Sequence, residues 1–324
     1  MGEARRHCAQ LARELQWNEV QAGRLAIVVT ELGANLARHA QRGRLLVAAR
    51  AHDAMVEIIA IDEGPGIENI NQSMSDGFST GGTPGTGLGA VRRLANEFDI
   101  HSARPGGTVC VARVGPQPAD ASSAMRKAGG PPAVGAVCLP APGEAVCGDG
   151  WAAALDGDRL RVLVADGLGH GPDAAKASQA AIDTFEPAPF SDMRQQVEQI
   201  HRQLRTTRGA AMCVAEMDAA TGALRYSGAG NIAGRVLSGI SDKALATQHG
   251  TAGVQIRQPD ETTAEWVDHG LVILHSDGIN TRWRGTDLLP VLQRDPTLAA
   301  AILLRDHTRQ RDDATVVVVR RRDE

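Results

Sequence analysis

The chain has 324 residues, 43% hydrophobic and 22% charged, with a formal net charge of −4. That length accommodates about two ordinary domains, and the balance of residues is that of a globular protein. A mildly acidic chain excludes a general nucleic-acid footprint, and with no apolar run near ~18 residues and no apolar signal core at the start, neither membrane spanning nor export is expected.

In chain order, the first elements are two helices, about residues 3–16 and 19–40. The second has Leu25, Val28, Val29, Leu32 and Leu36 at helical spacing. "RLLVAAR" and "MVEIIAI" follow as a β-hairpin about "AHDA". The stretch "GTPGTGLGAVRRL" packs Gly82, Gly85, Gly87 and Gly89 ahead of a third amphipathic helix carrying Leu88, Val91, Leu94, Ala95 and Phe98. "GTVCVARV" closes this half as a strand. Residues 115–132, "GPQPADASSAMRKAGGPP", lose all apolar period and read as a linker. Beyond it, "RLRVLVAD", "AAMCVAEMD", "ALRYSGAG", "GLVILHSD" and "ATVVVVRR" are strand-like, with helices near 172–184, 191–206 and 287–305. That order fits two packed sheets with helices outside. The five cysteines (Cys8, Cys110, Cys138, Cys147, Cys213) form no C-x-x-C pair and are odd in number, which points to reduced thiols in the cytoplasm.

Two constellations carry chemistry. In the first half, Glu31, Asn35 and His39 fall at i, i+4 and i+8 on the second helix, one stripe beside its apolar face. Asp62 ends a strand ahead of Gly64 and Gly66, where a carboxylate can receive an exocyclic amine. The glycine loop opens a helix, whose free N–H groups favour phosphate. Taken singly, the helix stripe could be a solvated face, Asp62 a turn residue and the loop a mobile surface. The loop lacks G-K-[ST] and the G-x-G-x-x-G spacing, so it is neither a P-loop nor a dinucleotide loop. In this order the set resembles the GHKL (Bergerat) nucleotide fold of gyrase B, histidine kinases and the MutL repair proteins, nearest to the anti-sigma-factor serine kinases and stressosome switch kinases. The resemblance covers about residues 20–114. It implies Glu31 as the base for an attacking hydroxyl and Asn35 as holding the magnesium of ATP. It implies Asp62 on the adenine amine with Gly64 and Gly66 shaping the pocket, Gly85, Gly87 and Gly89 as a lid hinge, and Thr108 at the adenine end. One departure is that "MGEARRH" starts almost inside the first helix, where family members have a strand.

In the second half, Asp149, Asp166, Asp277 and the pair Asp312–Asp313 each sit at one end of an apolar run. Any one Asp-Gly is most simply a turn. If the strands are neighbours, the carboxylates converge and repel, and divalent cations resolve the conflict. The set "VADGLGHG", "SDGI" and "DDAT" resembles the metal-dependent serine/threonine phosphatases in their SpoIIE-like branch, over about residues 134–321. By that resemblance Asp166 bridges two Mn2+ or Mg2+ ions, the Gly167 carbonyl ligates one, Asp277 and Asp312 complete the second, and Asp149 ligates directly or through water. Asp313 is the weaker candidate of its pair, because the family's ligand stands three residues before a threonine, here Thr315. His170 is either a general acid or a loop histidine capping the next helix. Asn231 either positions substrate or shapes a turn, and Arg208 is only a guess at a phosphate-binding arginine.

The expected architecture is therefore α+β: an N-terminal GHKL α/β sandwich (1–114), a linker (115–132) and a C-terminal α-β-β-α phosphatase sandwich (133–324). The resemblances imply a bifunctional partner-switching regulator. Its phosphatase half would act on a STAS-domain phosphoprotein, an anti-sigma antagonist or stressosome component, with a downstream phosphatase or sigma-regulatory protein as a further partner. The first half would be the ATP-dependent serine/threonine kinase of the same pathway, or a binding module that sequesters a partner or gates the phosphatase.

Overall fold

A computed structural model describes residues 2–50, 53–74, 87–116 and 132–321. It divides the chain into two units, residues 1–126 and 127–324. Most of the expected linker, and Gly82 and Gly85 of the glycine stretch, lie outside the described residues.

In the first unit, helix α1 (Gly2–Glu14) precedes α2 (Glu19–His39). A capping box starts α2: the Asn18 side chain accepts from the Gln21 N–H at 2.9 Å, and the Gln21 side chain accepts from the Asn18 N–H at 3.0 Å. Strands β1 (Arg44–Arg50) and β2 (Met55–Ile61) pair as a hairpin with Arg44 opposite Ile61. The short α3 (Ile70–Ser73), α4 (Gly87–Leu94), β3 (Glu97–Ala103) and β4 (Gly107–Val114) follow. The antiparallel sheet runs β1-β2-β4-β3. Leu25, Val28, Val29 and Leu32 of α2 are buried with Val56, Ile58, Cys110 and Ala112 of the sheet and Val91 of α4. Each such aliphatic side chain contributes roughly 1.5–3 kcal/mol.

Strand β3 is a difference from the sequence reading, which carried the third helix on to Phe98. The helix stops at Leu94 because Asn96 is drawn into tertiary bonds. Its N–H donates to the Arg113 carbonyl at 2.8 Å, and its Oδ1 accepts from Gly115 N and Arg24 Nη2, both at 2.9 Å. "EFDIHSA" then alternates as a strand, with Ile100 buried.

The second unit begins with β5 (Ala133–Leu139), β6 (Asp149–Asp156) and β7 (Arg159–Gly167), then α5 (Pro172–Phe185) and α6 (Met193–Gln203). Next come β8 (Ala210–Asp218), β9 (Ala223–Ala229), β10 (Ala233–Leu237) and β11 (Asp242–Leu245). A small pair, β12 (Gly250–Thr251) and β13 (Gln255–Ile256), precedes β14 (Thr262–Glu265), β15 (Leu271–His275), α7 (Pro296–His307) and β16 (Ala314–Arg320). Two five-stranded antiparallel sheets result, ordered β14-β9-β8-β7-β6 and β11-β10-β15-β16-β5.

Alternation along the strands builds the layers. Val162 and Val164 of β7, Cys213 and Ala215 of β8, Val272 and Leu274 of β15, and Val317 and Val319 of β16 form the core between the sheets. Leu163 and Ala165 face the other way, onto Ala177, Ala181 and Phe185 of α5 and Val197 and Ile200 of α6. Helix α7 covers β5 and β16. The layers are α-β-β-α, the architecture expected from the sequence. The single helix read over 287–305 is instead a 3-10 turn (Gly285–Val291) and α7. The Asp295 side chain caps the Thr297 N–H at 2.9 Å and Pro296 takes the first helical position.

Candidate functional site

In the first unit, α2 and α4 bring the stripe and the glycines together. A Cβ on Gly87 would stand 3.6 Å from Asn35 Oδ1 and 3.8 Å from Glu31 Oε2, so the first residue of α4 faces the stripe. Gly89, two residues further along α4, is buried. Asp62 follows β2, beside the C-terminal end of α2, where the Glu63 N–H donates to the Gln41 carbonyl at 2.9 Å. The Asp62 N–H donates to the Thr108 carbonyl at 2.9 Å, and its Oδ1 accepts from the Gly64 N–H at 2.7 Å. Two positions here admit only glycine. Gly66 has φ +77°, and a Cβ there would lie 2.1 Å from the Ala103 carbonyl oxygen. Gly107 has φ +78°, and its Cβ would lie 2.0 Å from the Asp62 carbonyl oxygen.

Ser102 and Gly107 went unread in the sequence. Ser102 Oγ accepts from the Ile67 N–H at 2.7 Å and meets Thr108 Oγ1 at 2.9 Å, tying the glycine turn to the strand that carries Thr108. Their role rests on strand register, which leaves no local signature.

In the second unit, strand register converges the acids. Asp149 and Asp166 are direct partners at the ends of β6 and β7. Asp166 continues the Val162–Val164 face of its strand, and Asp313 continues the Val317–Val319 face of β16, so they point into the gap between the sheets at one end. Asp149 is buried, and its Oδ2 accepts from Ser276 Oγ at 2.6 Å, while the Ser276 Oγ itself accepts from the Thr315 N–H at 3.0 Å. Asp149 Oδ1 is buried with no partner. Asp277 Oδ2 accepts from Asn231 Nδ2 at 2.7 Å, which gives Asn231 an orienting role. Asp312 Oδ1 accepts from the Asp313 N–H at 3.0 Å. Asp313 Oδ1 accepts from the Ala141 N–H at 2.8 Å, and its Oδ2 is buried with no partner.

The electrostatics follow. Burial, then the charges of Asp149, Asp277 and Asp312, push Asp166 up to about 9. Burial pushes Asp149 up to about 6, against the hydrogen bond from Ser276. Burial and Asp312 raise Asp277. Among the described residues no three His, Cys, Asp or Glu side chains are grouped so as to hold a metal ion as they stand. The orphaned Asp149 Oδ1 and an all-oxygen donor set nevertheless fit a hard divalent cation, which would relieve the repulsion gathered on Asp166.

His170 is exposed, and its Nδ1 pairs with Glu144 Oε1 at 2.6 Å. It does not cap α5: Gly171 holds the cap position with no side-chain bond. Arg208 Nη2 reaches Asp173 in the first turn of α5 at 3.0 Å. Gly167 is buried at the end of β7, where its N–H donates to the Gly148 carbonyl at 3.2 Å.

A helix-backed four-stranded unit with a carboxylate and glycine turn, followed by an α-β-β-α sandwich with carboxylates at one end, defines a class: a kinase-like ATPase unit joined to a type 2C-like phosphatase unit. The family model described as stage II sporulation protein E (SpoIIE) matches residues 156–322, and that of the histidine kinase-like ATPase domain matches residues 1–114. The first match spans more than half of the chain, and the chain belongs to the SpoIIE family. The serine/threonine-protein kinase RsbT of Bacillus subtilis (strain 168) is 39% identical over 108 residues, 32% of this chain and 80% of RsbT. A solved chain described under the bacterial stressosome, a modular system adapted to control secondary messenger signalling, is 27% identical with a TM-score of 0.55. The match covers 58% of this chain and 99% of that one. RsbX in complex with magnesium, 22% identical with a TM-score of 0.52 over 57% of this chain and 92% of its own, shares the fold. Among the described residues no helix is long and apolar enough to cross a membrane.

Proposed function

We propose that the chain is a cytoplasmic, bifunctional partner-switching regulator. Residues 133–324 remove phosphate from a serine or threonine of a STAS-domain protein, and residues 1–114 use ATP and magnesium to place it there. The observation that carries this reading is the crowding of Asp149, Asp277 and Asp312 around Asp166 in a chain that also holds an RsbT-like unit. The likeness to the stressosome chain supports the pathway.

Asp149, Asp166, Asp277, Asp312 and the Gly167 carbonyl would hold two Mn2+ or Mg2+ ions. Such ions, when bound, neutralise phosphate charge and acidify water. The chain's own part is to aim the ligands. Ser276 fixes one oxygen of Asp149, Asn231 one oxygen of Asp277 and the Asp313 N–H one oxygen of Asp312. In the first unit, Asn35 and Gly87 flank the place for nucleotide phosphates, Asp62, Gly64, Gly66 and Thr108 flank that for adenine, and Glu31 orients the hydroxyl under attack.

Phosphate release from a phosphorylated STAS protein tests the first arm. It is expected to need manganese or magnesium and to vanish in Asp166→Asn; equal rates with chelator present would sink it. Labelled ATP with the unphosphorylated partner tests the second. Label should pass to the partner with wild type and not with Glu31→Ala, and label with neither makes the first unit a binding module.

A further inference from the structure

Two thiols lie beside the carboxylates and play no part in the reading above. Cys138 is the penultimate residue of β5, and Cys147 stands two residues before Asp149 opens β6. These strands belong to different sheets, so residues 140–148 cross from one sheet to the other. The two sulfurs meet at 3.4 Å at the ends of that crossing. Both residues are half-buried, whereas Cys8, Cys110 and Cys213 are buried.

The Cys138 sulfur touches the groups that present Asp149. Thr315 Oγ1 donates to Cys138 Sγ at 3.1 Å, and Cys138 Sγ lies 3.8 Å from the Asp149 carbonyl oxygen. Cys138 is held in register against Thr315 of β16. Cys147 lies outside the strands, so it is the side that gives, and it leads straight through Gly148 to Asp149.

We propose that Cys138 and Cys147 form a redox modification site: a peroxide joins them in a disulfide that shifts Asp149 and turns the phosphatase site down. One thiol attacks the peroxide, becomes a sulfenic acid and releases water or alcohol. The other thiol attacks that sulfur, the S–S bond forms, and water leaves, so two thiols lose two electrons and two protons to one peroxide. A disulfide holds its sulfurs about 2.05 Å apart. The sulfurs start at 3.4 Å, and Cys147, which lies outside the strands, is the partner placed to approach.

Bond formation stands on geometry alone, whereas the loss of turnover rests on the metal-phosphatase reading, and the experiment separates them. No Lys or Arg lies between residues 128 and 158, so trypsin leaves both cysteines in one peptide, residues 128–159. After peroxide treatment of the full chain, that peptide should be lighter by two hydrogens and resist alkylation until reduced. Manganese affinity by calorimetry should fall about tenfold, phosphate release should fall several-fold, and both should return with reductant. Cys147→Ser should keep untreated turnover and lose both the mass change and the sensitivity; Cys138→Ala should also lose the mass change. Two alkylatable cysteines after peroxide, or oxygen adducts in place of the loss, overturn the disulfide. A disulfide that leaves manganese affinity and turnover unchanged overturns the regulation.

Discussion

The two units prepare their sites by opposite means. In the first, backbone shape does the work: Gly66 and Gly107 bring main chain against main chain, and the Asp62 carboxylate is held by the Gly64 N–H. A nucleotide brings its own negative charge, so such a site needs room and N–H groups. In the second, side-chain charge does the work: Asp149, Asp277 and Asp312 each raise the cost of ionising Asp166, and Asp312 does the same to Asp277. One site is lost by adding a carbon, the other by removing a charge.

The largest expected effect is on the charged site. Asp166→Asn should lower phosphate release by about 10³-fold or more. The same change should leave the metal-free melting temperature unchanged or higher, because it relieves buried like charges. Nucleotide binding should not move. A lower metal-free melting temperature would mean that Asp166 is a structural partner, and the contrast between the units would break.

Gly66→Ala is the matching test of the shaped site. The added methyl meets the Ala103 carbonyl oxygen at a positive φ, at a cost on the order of a few kcal/mol. Affinity for a non-hydrolysable ATP analogue, read by calorimetry, should fall more than about tenfold, since 1.4 kcal/mol is a factor of ten. Phosphate release should be unaffected. Unchanged analogue binding would take the glycine turn out of the pocket.

How much of this was legible follows the same division. The acids announced themselves, because an aspartate ending an apolar run is visible in one dimension, and the strands around Asp166 and Asp277 were read directly. Strands with a weak local pattern escaped. β3 was hidden behind a helix pattern that Asn96 ends through bonds to residues 113 and 115. β5 follows the linker directly and was not read as a strand. Ser276 acts on an acid 127 residues away in sequence, and Ser102 acts through register, so neither leaves a trace in spacing. The break between the 3-10 turn and α7 was legible in "DPT", a cap residue followed by proline at the first helical position.

Titration sharpens the contrast within the second unit. Burial pushes His275 down from 6.5 to about 4; its ring pairs through Nδ1 with the Ser276 carbonyl and accepts from Trp283 Nε1 at 3.2 Å. The unfolded chain therefore takes up this proton first. As pH falls from 6.5 to about 4 the protein loses about 3 kcal/mol on this account. Asp166 has the opposite sign. Its folded carboxyl keeps a proton that the unfolded chain has lost, so metal-free stability falls as pH rises from 3.8 toward about 9. Denaturant unfolding without divalent ions should show the loss between pH 6.5 and 9, and manganese should remove it. Equal metal-free stability at both pH values would contradict the crowding.

The smallest effects compare two serines that each stand one bond behind a candidate ligand. Ser276 is fully buried, and Ser276→Ala strips Asp149 Oδ2 and the Thr315 N–H of their partner. Asp149 would then carry two orphaned oxygens, at about 1–3 kcal/mol of stability and 10–100-fold in manganese affinity. Ser102 is half-buried, and Ser102→Ala removes bonds to the Ile67 N–H and Thr108 Oγ1 that water can in part replace. About 1 kcal/mol and a few-fold weaker ATP-analogue binding are expected. Calorimetry on the two variants reads both ligands in each. A loss confined to manganese in one and to the analogue in the other would show that each serine serves its own unit, and equal losses in both ligands would show general destabilisation instead.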